Sequence, residues 1–452
     1  MDRRVRLPQG VKNFVTGSLF SLISGGAIYL SRIVFLRYMS VDYVGYTSLF
    51  EHIFLLVSVL DCGVATSLTS FMSRAMRSGN DEKKNGVLRG AKIVYLSVSF
   101  LMLSLLFLIS LLFMGKRGLF LPSFFYFFGQ CAQYYLGWRI LALNVSGRND
   151  VVSRYVHSGR ALGSILEMIT ISITRNFTLY VASSMVSVIL SYLLLFFKAK
   201  SICSWIDEKS GIVEEKEEKF FLKMIPSMAS HRFGSLFFRS YEMIAVNLFF
   251  GFTVGGKYSN LLLTSTAFMT VFWIFQSSVT GIVGEHYALE GRRDTFLLYK
   301  KMSVYNLVVS FVTSLVFLLV GRWIGEVSFG KENIIGGDLP LFMALEMFLL
   351  SSRTTVLVIR DAMGDYHRDW WKPLLEASVV IVLTLLLSKQ FSSASVPLSI
   401  SITLILLSIP IDNAIVVRRL NGKSSYSMVP IMVSTVILAG ILLLVGLFLN
   451  IH

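Results

Sequence analysis

Residues 41–50 read VDYVGYTSLF, and residues 252–262, about 211 positions further along, read FTVGGKYSNLL. Each stretch follows one apolar segment and opens the next. A basic segment then comes after both, at 74–92 in the first case and at 292–301 in the second. A repeat of this length has to be recognised before a fold is inferred, because it changes the whole architecture. The two stretches predict a chain built from two halves of similar structure.

Weaker echoes further along the chain support the same two halves. The dipeptide Leu-Pro opens an apolar segment at 121–122 and again at 339–340. Glu167 and Glu376 are comparable acidic residues inside later apolar segments. Each match is weak alone, since apolar helices resemble one another in composition. Their common order and spacing nevertheless favour a repeat.

The composition is typical of a membrane protein. Hydrophobic residues make up 54% of the 452 residues and charged residues only 15%, and the mean hydropathy is +0.67. An ordinary soluble domain carries about 25% charged residues, so a soluble enzyme and a disordered chain are excluded. The net charge of +15 would suit a nucleic-acid-binding protein, but no soluble face is available to carry it. Basic loops on one side of a membrane explain the charge better.

Thirteen apolar stretches come close to the length of about 20 residues that a bilayer-spanning helix needs. They lie near 14–38, 46–72, 93–114, 119–145, 156–174, 178–197, 222–250, 258–283, 303–321, 339–361, 373–388, 398–417 and 430–450. The connections are short, so we expect no soluble domain of useful size outside the membrane.

The basic residues outside the spans predict the orientation of the chain. Of the 42 Lys and Arg residues, 29 lie in loops on one side of the predicted membrane and eight on the other. Because loops rich in Lys and Arg stay cytoplasmic, we expect the N-terminus inside the cell. An odd number of spans places the C-terminus outside.

The predicted fold class is all-α, a polytopic transmembrane bundle of two six-helix halves plus a thirteenth helix. The domain boundaries follow as 1–197 for the first half, 198–221 for a cytoplasmic linker, 222–417 for the second half and 418–452 for a C-terminal loop and helix. Halves with six spans each enter the membrane from the same side. This predicts a parallel repeat about an axis along the membrane normal, with a substrate site near the midplane.

Five arginines lie well inside predicted spans, away from the span ends, and are the candidate substrate-binding residues: Arg32, Arg139, Arg232, Arg239 and Arg353. Arginine in hydrocarbon is expensive, and such residues normally face a bundle interior or a wet cavity. The planar guanidinium suits phosphate and pyrophosphate, and its charge is fixed. The pattern therefore predicts a cationic site for an anionic headgroup.

Spacing along the helices adds detail and also an alternative. Arg232 and Arg239 are seven residues apart, so both project from one helix face. The alternative to a cationic cavity is internal pairing, Arg239 with Glu242 or Arg353 with Glu346, or snorkelling to the membrane surface. Both interpretations stay open at this point.

Acidic residues inside the spans are candidates for carrying a coupling proton or sodium ion: Asp61, Glu167, Glu242, Glu346 and Glu376. Intramembrane carboxylates often serve as such relays. For each of them the alternative role is a helix–helix hydrogen bond or an ion pair with arginine. Asp61 and Glu242 are the first to test.

The sequence predicts no cofactor and no metal site. It contains no GxxxxGK[ST] phosphate loop, which argues against ATP hydrolysis. The six histidines are scattered and form no HExxH motif. Coupling to H⁺ or Na⁺ is compatible with the carboxylates inside the spans.

Residues 55–66 read LLVSVLDCGVAT, an apolar run followed by Asp-x-Gly and small residues. This segment is similar to the second span of the O-antigen-type (Wzx-type) polysaccharide flippases. The two repeat stretches also resemble the pattern of that family. That family belongs to the multidrug/oligosaccharidyl-lipid/polysaccharide (MOP) exporter superfamily. The similarity extends over about residues 10–420, while the thirteenth span exceeds the family's twelve-helix core.

The resemblance implies a flippase of the bacterial cytoplasmic membrane that is not an enzyme. It would move undecaprenyl-pyrophosphate-linked oligosaccharide repeat units outward by alternating access, for capsule, exopolysaccharide or O-antigen assembly. The implied partners are the lipid-linked oligosaccharide, membrane lipids, a polysaccharide polymerase and chain-length machinery, and no nucleic acid. Unassisted passage of such a headgroup through hydrocarbon would carry a prohibitive charge cost.

Three other functions compete with this one. A multidrug-type cation antiporter would need a cavity dominated by carboxylates, whereas the seventh span has two arginines against one glutamate in 232–242. A membrane polymerase or glycosyltransferase would need a sizeable outer loop, and the longest outer connection is only about 322–338. A peptidoglycan-precursor flippase would present a similar headgroup anchor, so the sequence separates it poorly.

Overall fold

The structure, a computed structural model, describes residues 9–61, 64–207, 215–363, 371–421 and 429–451. The residues it describes form α-helices with short 3₁₀ and π turns and no β-strand, which confirms the predicted fold class. The α-helices are α1 (Gln9–Tyr38), α2 (Val41–Val57), α3 (Val64–Arg77), α4 (Asp81–Ile109), α5 (Phe120–Gln130), α6 (Ala132–Tyr135), α7 (Ile140–Val145), α8 (Asn149–Thr174), α9 (Phe177–Ile202), α10 (Glu215–Phe250), α11 (Phe252–Phe329), α12 (Leu339–Ser352), α13 (Thr354–Met363), α14 (Lys372–Phe391), α15 (Ser395–Thr403), α16 (Ile409–Asn421) and α17 (Val429–Ile451).

A helix, or a run of short helices, occupies each of the thirteen predicted spans. Within the described ranges, eight helical stretches are long and apolar enough to cross a membrane, and α14 to α16 count as one of them. The predicted spans four, five, seven and eight are helical but lie outside these eight stretches. The chain is a multi-pass membrane protein.

Several predicted connections are helical in the structure. The linker predicted at 198–221 is reduced at both ends, because α9 runs to Ile202 and α10 already begins at Glu215. Residues 203–207 of that linker form no helix, and 208–214 lie outside the described residues. The basic segment 292–301 is part of α11, which bends once at Gly291, where φ is 79°. Glycine adopts this left-handed conformation without steric cost, so the two predicted spans join at a kink rather than through a loop.

One compact unit consists of Met1–Ser40 and Phe50–Leu236. In it α1 packs along α8, α8 along α9, and α5 against α9. One part of its core gathers side chains from α3, α4, α7 and α9, including Met72, Leu88 and Leu195. The helices α8 and α9 form a hairpin in which Arg175 takes a left-handed φ of 49°.

The second compact unit consists of Val41–Leu49 and Phe237–His452. In it α11 packs against α12, α13, α16 and α17, and α14 packs against α15. The thirteenth predicted span, α17, packs closely against α12. A Cβ placed at Gly446 of α17 would overlap the side chain of Leu341 on α12. The chain passes from one unit to the other three times: just before α2, inside α2 and inside α10.

The two repeat stretches have equivalent structures in the second unit. Ser40 and Gly251 precede α2 and α11, so both helices begin at the same point of the repeat. Ser48 Oγ lies 2.5 Å from Ser259 Oγ, and the two residues are 211 positions apart. The predicted division into two repeated halves is therefore confirmed.

Candidate functional site

Arg32 lies in the last third of α1, within electrostatic range of two acids. These are Glu51 on α2 and Glu167 on α8. Glu167 accepts a hydrogen bond from Ser31 Oγ at 3.0 Å and another from the Tyr180 hydroxyl on α9. The structure thus brings a predicted headgroup residue and a predicted coupling residue together, in a polar group held by three helices.

Asp61 and Arg232 form a second pair of predicted residues in the same unit. Arg232 Nη2 lies 3.4 Å from Asp61 Oδ2, and Tyr134 donates a hydrogen bond to the same oxygen at 3.3 Å. The carboxylate is buried, while the Arg232 side chain is 40% exposed. The partly exposed Arg232 therefore pairs with a buried carboxylate 171 residues away in sequence, a pairing that no helical spacing indicates.

Arg139 lies among aromatic rings. It follows the break between α6 and α7, and its residue is 7% exposed. Its guanidinium carbon lies 3.8 Å from the ring centre of Phe196 and 5.0 Å from that of Trp138. These are cation–π distances, so the rings stabilise the buried charge.

The second unit contains a pair of buried carboxyl groups. Glu242 on α10 and Glu346 on α12 are both buried, and Glu242 lies within electrostatic range of Glu346. Tyr258 on α11 donates a hydrogen bond to Glu242 Oε1 at 2.5 Å. Two of the predicted coupling residues are therefore buried within electrostatic range of one another in this unit.

Arg239 is exposed although it lies deep within α10. Its guanidinium carbon stands 5.0 Å from the ring centre of Trp273 on α11. Eleven residues separate it from Phe250 at the end of α10, which corresponds to about 16 Å along the helix axis. Since the hydrocarbon core is about 30 Å thick, the predicted span 222–250 would place Arg239 near the membrane midplane.

Asp412 on α16 is at the centre of a buried network of five charged side chains, itself included. Its Oδ2 lies 2.7 Å from Arg353 Nε, and its Oδ1 lies 2.9 Å from Arg360 Nη1. Lys372 Nζ also contacts Oδ1 and lies 3.2 Å from a Glu376 oxygen. Three basic and two acidic groups leave this network with a formal charge of +1.

This network changes several sequence-based interpretations. Arg353 pairs with Asp412 and Glu376, two partners on other helices. Arg360 at the end of α13 is buried, with 5% exposure. Sequence reasoning missed Asp412 entirely, although an aspartate inside the apolar window 398–417 was a usable signal.

The cavity beside the network is small. It is lined by Arg353, Tyr299, Ser303 and Asn413 among others, and its volume is about 20 Å³. A cavity needs roughly 10–15 Å³ to hold one water molecule. The space therefore admits a water molecule and no headgroup, which indicates a structural role for the network.

A polar cluster connects the beginning of α1 to the start of α8 and to the turn that precedes α8. Asp150 is 1% exposed and contacts Lys12 Nζ at 3.1 Å and Arg148 Nε at 3.2 Å. Burial alone would raise the pKa of the Asp150 carboxyl, but hydrogen bonds and charge from Arg148 and Lys12 hold it below its usual value. Asn13 adds a bond to the Gly147 carbonyl at 2.9 Å.

Within the described ranges, no group of three or more His, Cys, Asp or Glu side chains is placed to hold a metal ion. The acidic candidates occur instead as one pair and as partners of basic groups. The described site residues can accept a proton, pair with a cation or bind an anion, and they present no nucleophile–base arrangement.

No family model and no curated protein matches the sequence. Solved structures do match. An inward-facing multidrug resistance MATE family transporter of the MOP superfamily matches with a TM-score of 0.66 at 13% identity, over 90% of this chain and 98% of its own. A MATE transporter of Vibrio cholerae matches with a TM-score of 0.64 at 12% identity, over 92% and 98%.

The lipid II flippase MurJ, in an inward closed conformation, matches with a TM-score of 0.65 at 14% identity, over 97% of each chain. The chain therefore has the fold shared by these MATE transporters and MurJ. The predicted resemblance to the MOP superfamily is confirmed at the level of the fold.

Proposed function

We propose that the chain is a flippase that moves a lipid-linked oligosaccharide with a pyrophosphate headgroup across the bacterial cytoplasmic membrane by alternating access. The likeness to MurJ over 97% of both chains supports transport of a lipid-linked substrate. The product would serve the assembly of a capsule, an exopolysaccharide or an O-antigen, with a polymerase and chain-length machinery acting afterwards.

The observation that carries the proposal is the exposure of Arg239 on α10, a residue that the predicted span 222–250 puts near the membrane midplane. A charge exposed to hydrocarbon at this depth would be strongly unfavourable, so Arg239 must face water or a ligand. A fixed cation there attracts phosphate and repels a cationic drug. Arg32 and Arg232 join it in the proposal, because each is only partly buried and lies inside a predicted span.

Arg139 and Arg353 stay predictions and are secondary in this proposal. The aromatic rings around Arg139 and the carboxylates around Arg353 already stabilise their charges. A headgroup would have to displace those buried contacts, which costs free energy, whereas Arg239 is exposed.

Complementation of a flippase-null strain tests the proposal. We expect Arg239→Ala to abolish export while Arg239→Lys restores part of it, since lysine keeps the charge but loses the bidentate fork. Arg32→Ala and Arg232→Ala should also lower export. Arg293→Ala, an exposed residue of α11, is the matched control. Full export by the Arg239→Ala protein, inserted at the wild-type level, would contradict the proposal.

A multidrug-type cation antiporter is the second candidate, and the buried Glu242–Glu346 pair favours it. Proteoliposomes separate the two functions. Ion-driven uptake of ethidium without movement of lipid-linked sugar would support the antiporter. Movement of fluorescent lipid-linked pyrophosphoryl sugar without dye uptake would support the flippase, and lipid II in the same assay would reveal a peptidoglycan-precursor flippase.

A further inference from the structure

The first unit has a groove along the seam of α8 and α9, away from the candidate residues described above. Its volume is about 750 Å³. The two helices approach closely because small residues face each other. Ser187 Oγ donates a 2.5 Å hydrogen bond to the Gly159 carbonyl, and a Cβ at Gly159 would overlap Ser191. Small residues at such a seam let helix backbones come together, and the larger neighbours on each side form the walls.

The walls of the groove are apolar over most of its length. Leu162, Ile165 and Leu166 line it from α8, and Val186, Leu190 and Leu194 line it from α9. All six side chains are exposed. Such walls suit a hydrocarbon chain and offer no specific contact to a polar ligand.

One end of the groove is basic. Arg148 and Arg154 at the beginning of α8 and Lys198 near the end of α9 belong to its lining. Arg148 contacts Asp150. Arg154 and Lys198 are exposed, and neither has an ion-pair partner within the described part of the chain. The basic end therefore offers two uncompensated charges.

The distance from the basic end to the far end of the groove matches one membrane leaflet. Twelve residues separate Arg154 from Leu166 on α8, and twelve separate Val186 from Lys198 on α9. Both intervals correspond to about 18 Å of helix, against about 15 Å for half of the hydrocarbon core. The predicted orientation puts the basic end at the cytoplasmic surface.

We propose that this groove is a binding site for one anionic phospholipid of the cytoplasmic leaflet, separate from the transported substrate. The headgroup phosphate lies between Arg154 and Lys198, and an acyl chain follows the apolar walls. Charge complementarity selects an anionic over a zwitterionic lipid, because basic residues at the membrane surface attract anionic headgroups. A second protein helix would leave the two basic side chains without a partner.

Native mass spectrometry of the purified full-length chain tests this site, with dioleoylphosphatidylglycerol and dioleoylphosphatidylcholine as probes. We expect one tightly held phosphatidylglycerol per chain, bound about tenfold or more tightly than phosphatidylcholine. The double variant Arg154→Gln/Lys198→Gln should lose this preference. The control Arg293→Gln/Lys301→Gln removes two exposed basic residues of α11 and should keep it.

A second variant tests the apolar walls independently of charge. Leu190→Trp fills the middle of the groove and should lower the affinity for both lipids, while the purified protein stays folded. Equal binding of the two lipids, or an unchanged preference in the Arg154→Gln/Lys198→Gln protein, would overturn the proposal. So would competition by inorganic phosphate alone, or a disulfide-linked dimer formed through Leu190→Cys, which would assign the groove to a second copy of the chain.

Discussion

Gly45 and Gly256 make reciprocal contacts at the place where the two repeat stretches meet. Gly45 packs against the backbone carbonyl of Phe252, and Gly256 packs against the backbone carbonyl of Val41. Each glycine is thus next to the residue that opens the other's helix. Contacts of this kind, in which i meets j and j meets i, are the mark of a two-fold relationship. The two stretches that revealed the repeat in the sequence therefore also pack against each other in the structure.

Alanine at either of these glycines should destabilise the protein. A Cβ at Gly45 or Gly256 overlaps a carbonyl oxygen that belongs to rigid helical backbone. Overpacking of this kind costs about 1–3 kcal/mol, so Gly45→Ala and Gly256→Ala should both lower the melting temperature in detergent. Gly25→Ala is the matched control, because nothing lies within 4 Å of a Cβ there. Equal melting temperatures for all three variants would contradict the reciprocal contact.

Removal of the central carboxylate of the charged network should be severe. Asp412→Asn leaves Arg353, Arg360 and Lys372 without their shared partner in a buried environment. Breaking a buried pair by removing one member costs about 3–5 kcal/mol. Thermal unfolding should show the loss, and the double variant Asp412→Asn/Lys372→Met should recover part of it because one uncompensated cation is gone.

An exposed ion pair provides the comparison for that experiment. Arg322 Nε and Glu326 Oε1 are 2.7 Å apart, and the Arg322 side chain is 52% exposed. Surface pairs are worth about 0.2–1 kcal/mol, so Glu326→Gln should change stability little. A loss in the Asp412→Asn protein no larger than that of Glu326→Gln would show that the network is not a stabilising element.

Much of this fold was predictable because hydrophobicity and period are local properties of a sequence. Apolar windows found the helices, and the stretches at 41–50 and 252–262 revealed the repeat. The kink in α11 was missed because Gly291 directly precedes the basic segment 292–301, which also suits a loop. Linear patterns do not distinguish a helix with one left-handed glycine from two helices joined by a loop.

The candidate site was predictable only as a set of residues. Depth within a span singled out Arg239 and Glu242, whereas partners depend on tertiary contacts. Arg232 finds Asp61 across 171 positions, and Arg353 finds Asp412 across 59. The sequence reveals a possible partner for an arginine when the carboxylate lies three residues away on the same helix. It does not reveal a partner that lies on a distant helix.

The pairing of Asp150 predicts a stability change confined to acid pH. Its pKa is lowered in the folded protein: burial opposes the shift, and Arg148 and Lys12 outweigh it. A carboxyl group whose pKa is lower in the folded than in the unfolded protein stabilises the folded state at a pH above its unfolded pKa, about 3.9 for aspartate. This stabilisation is lost as the pH falls through the folded pKa. The melting temperature of Asp150→Asn should therefore lie below that of the wild type from pH 5 to 8 and approach it near pH 3. A constant difference across this range would exclude the ionised carboxylate as the cause.

Glu242→Gln should uncouple transport without unfolding the protein. The glutamine oxygen still accepts the hydrogen bond from Tyr258, but the amide neither takes up a proton nor balances a cation, so a driving ion has no binding group. In proteoliposomes we expect an imposed H⁺ or Na⁺ gradient to accelerate wild-type transport about tenfold, within the range of coupling between two sites. The Glu242→Gln and Glu346→Gln proteins should run at the same rate with and without the gradient. Glu326→Gln should respond like the wild type. A gradient response retained by the Glu242→Gln protein would move the coupling group elsewhere, with Asp61 and Glu167 as the next carboxylates to replace.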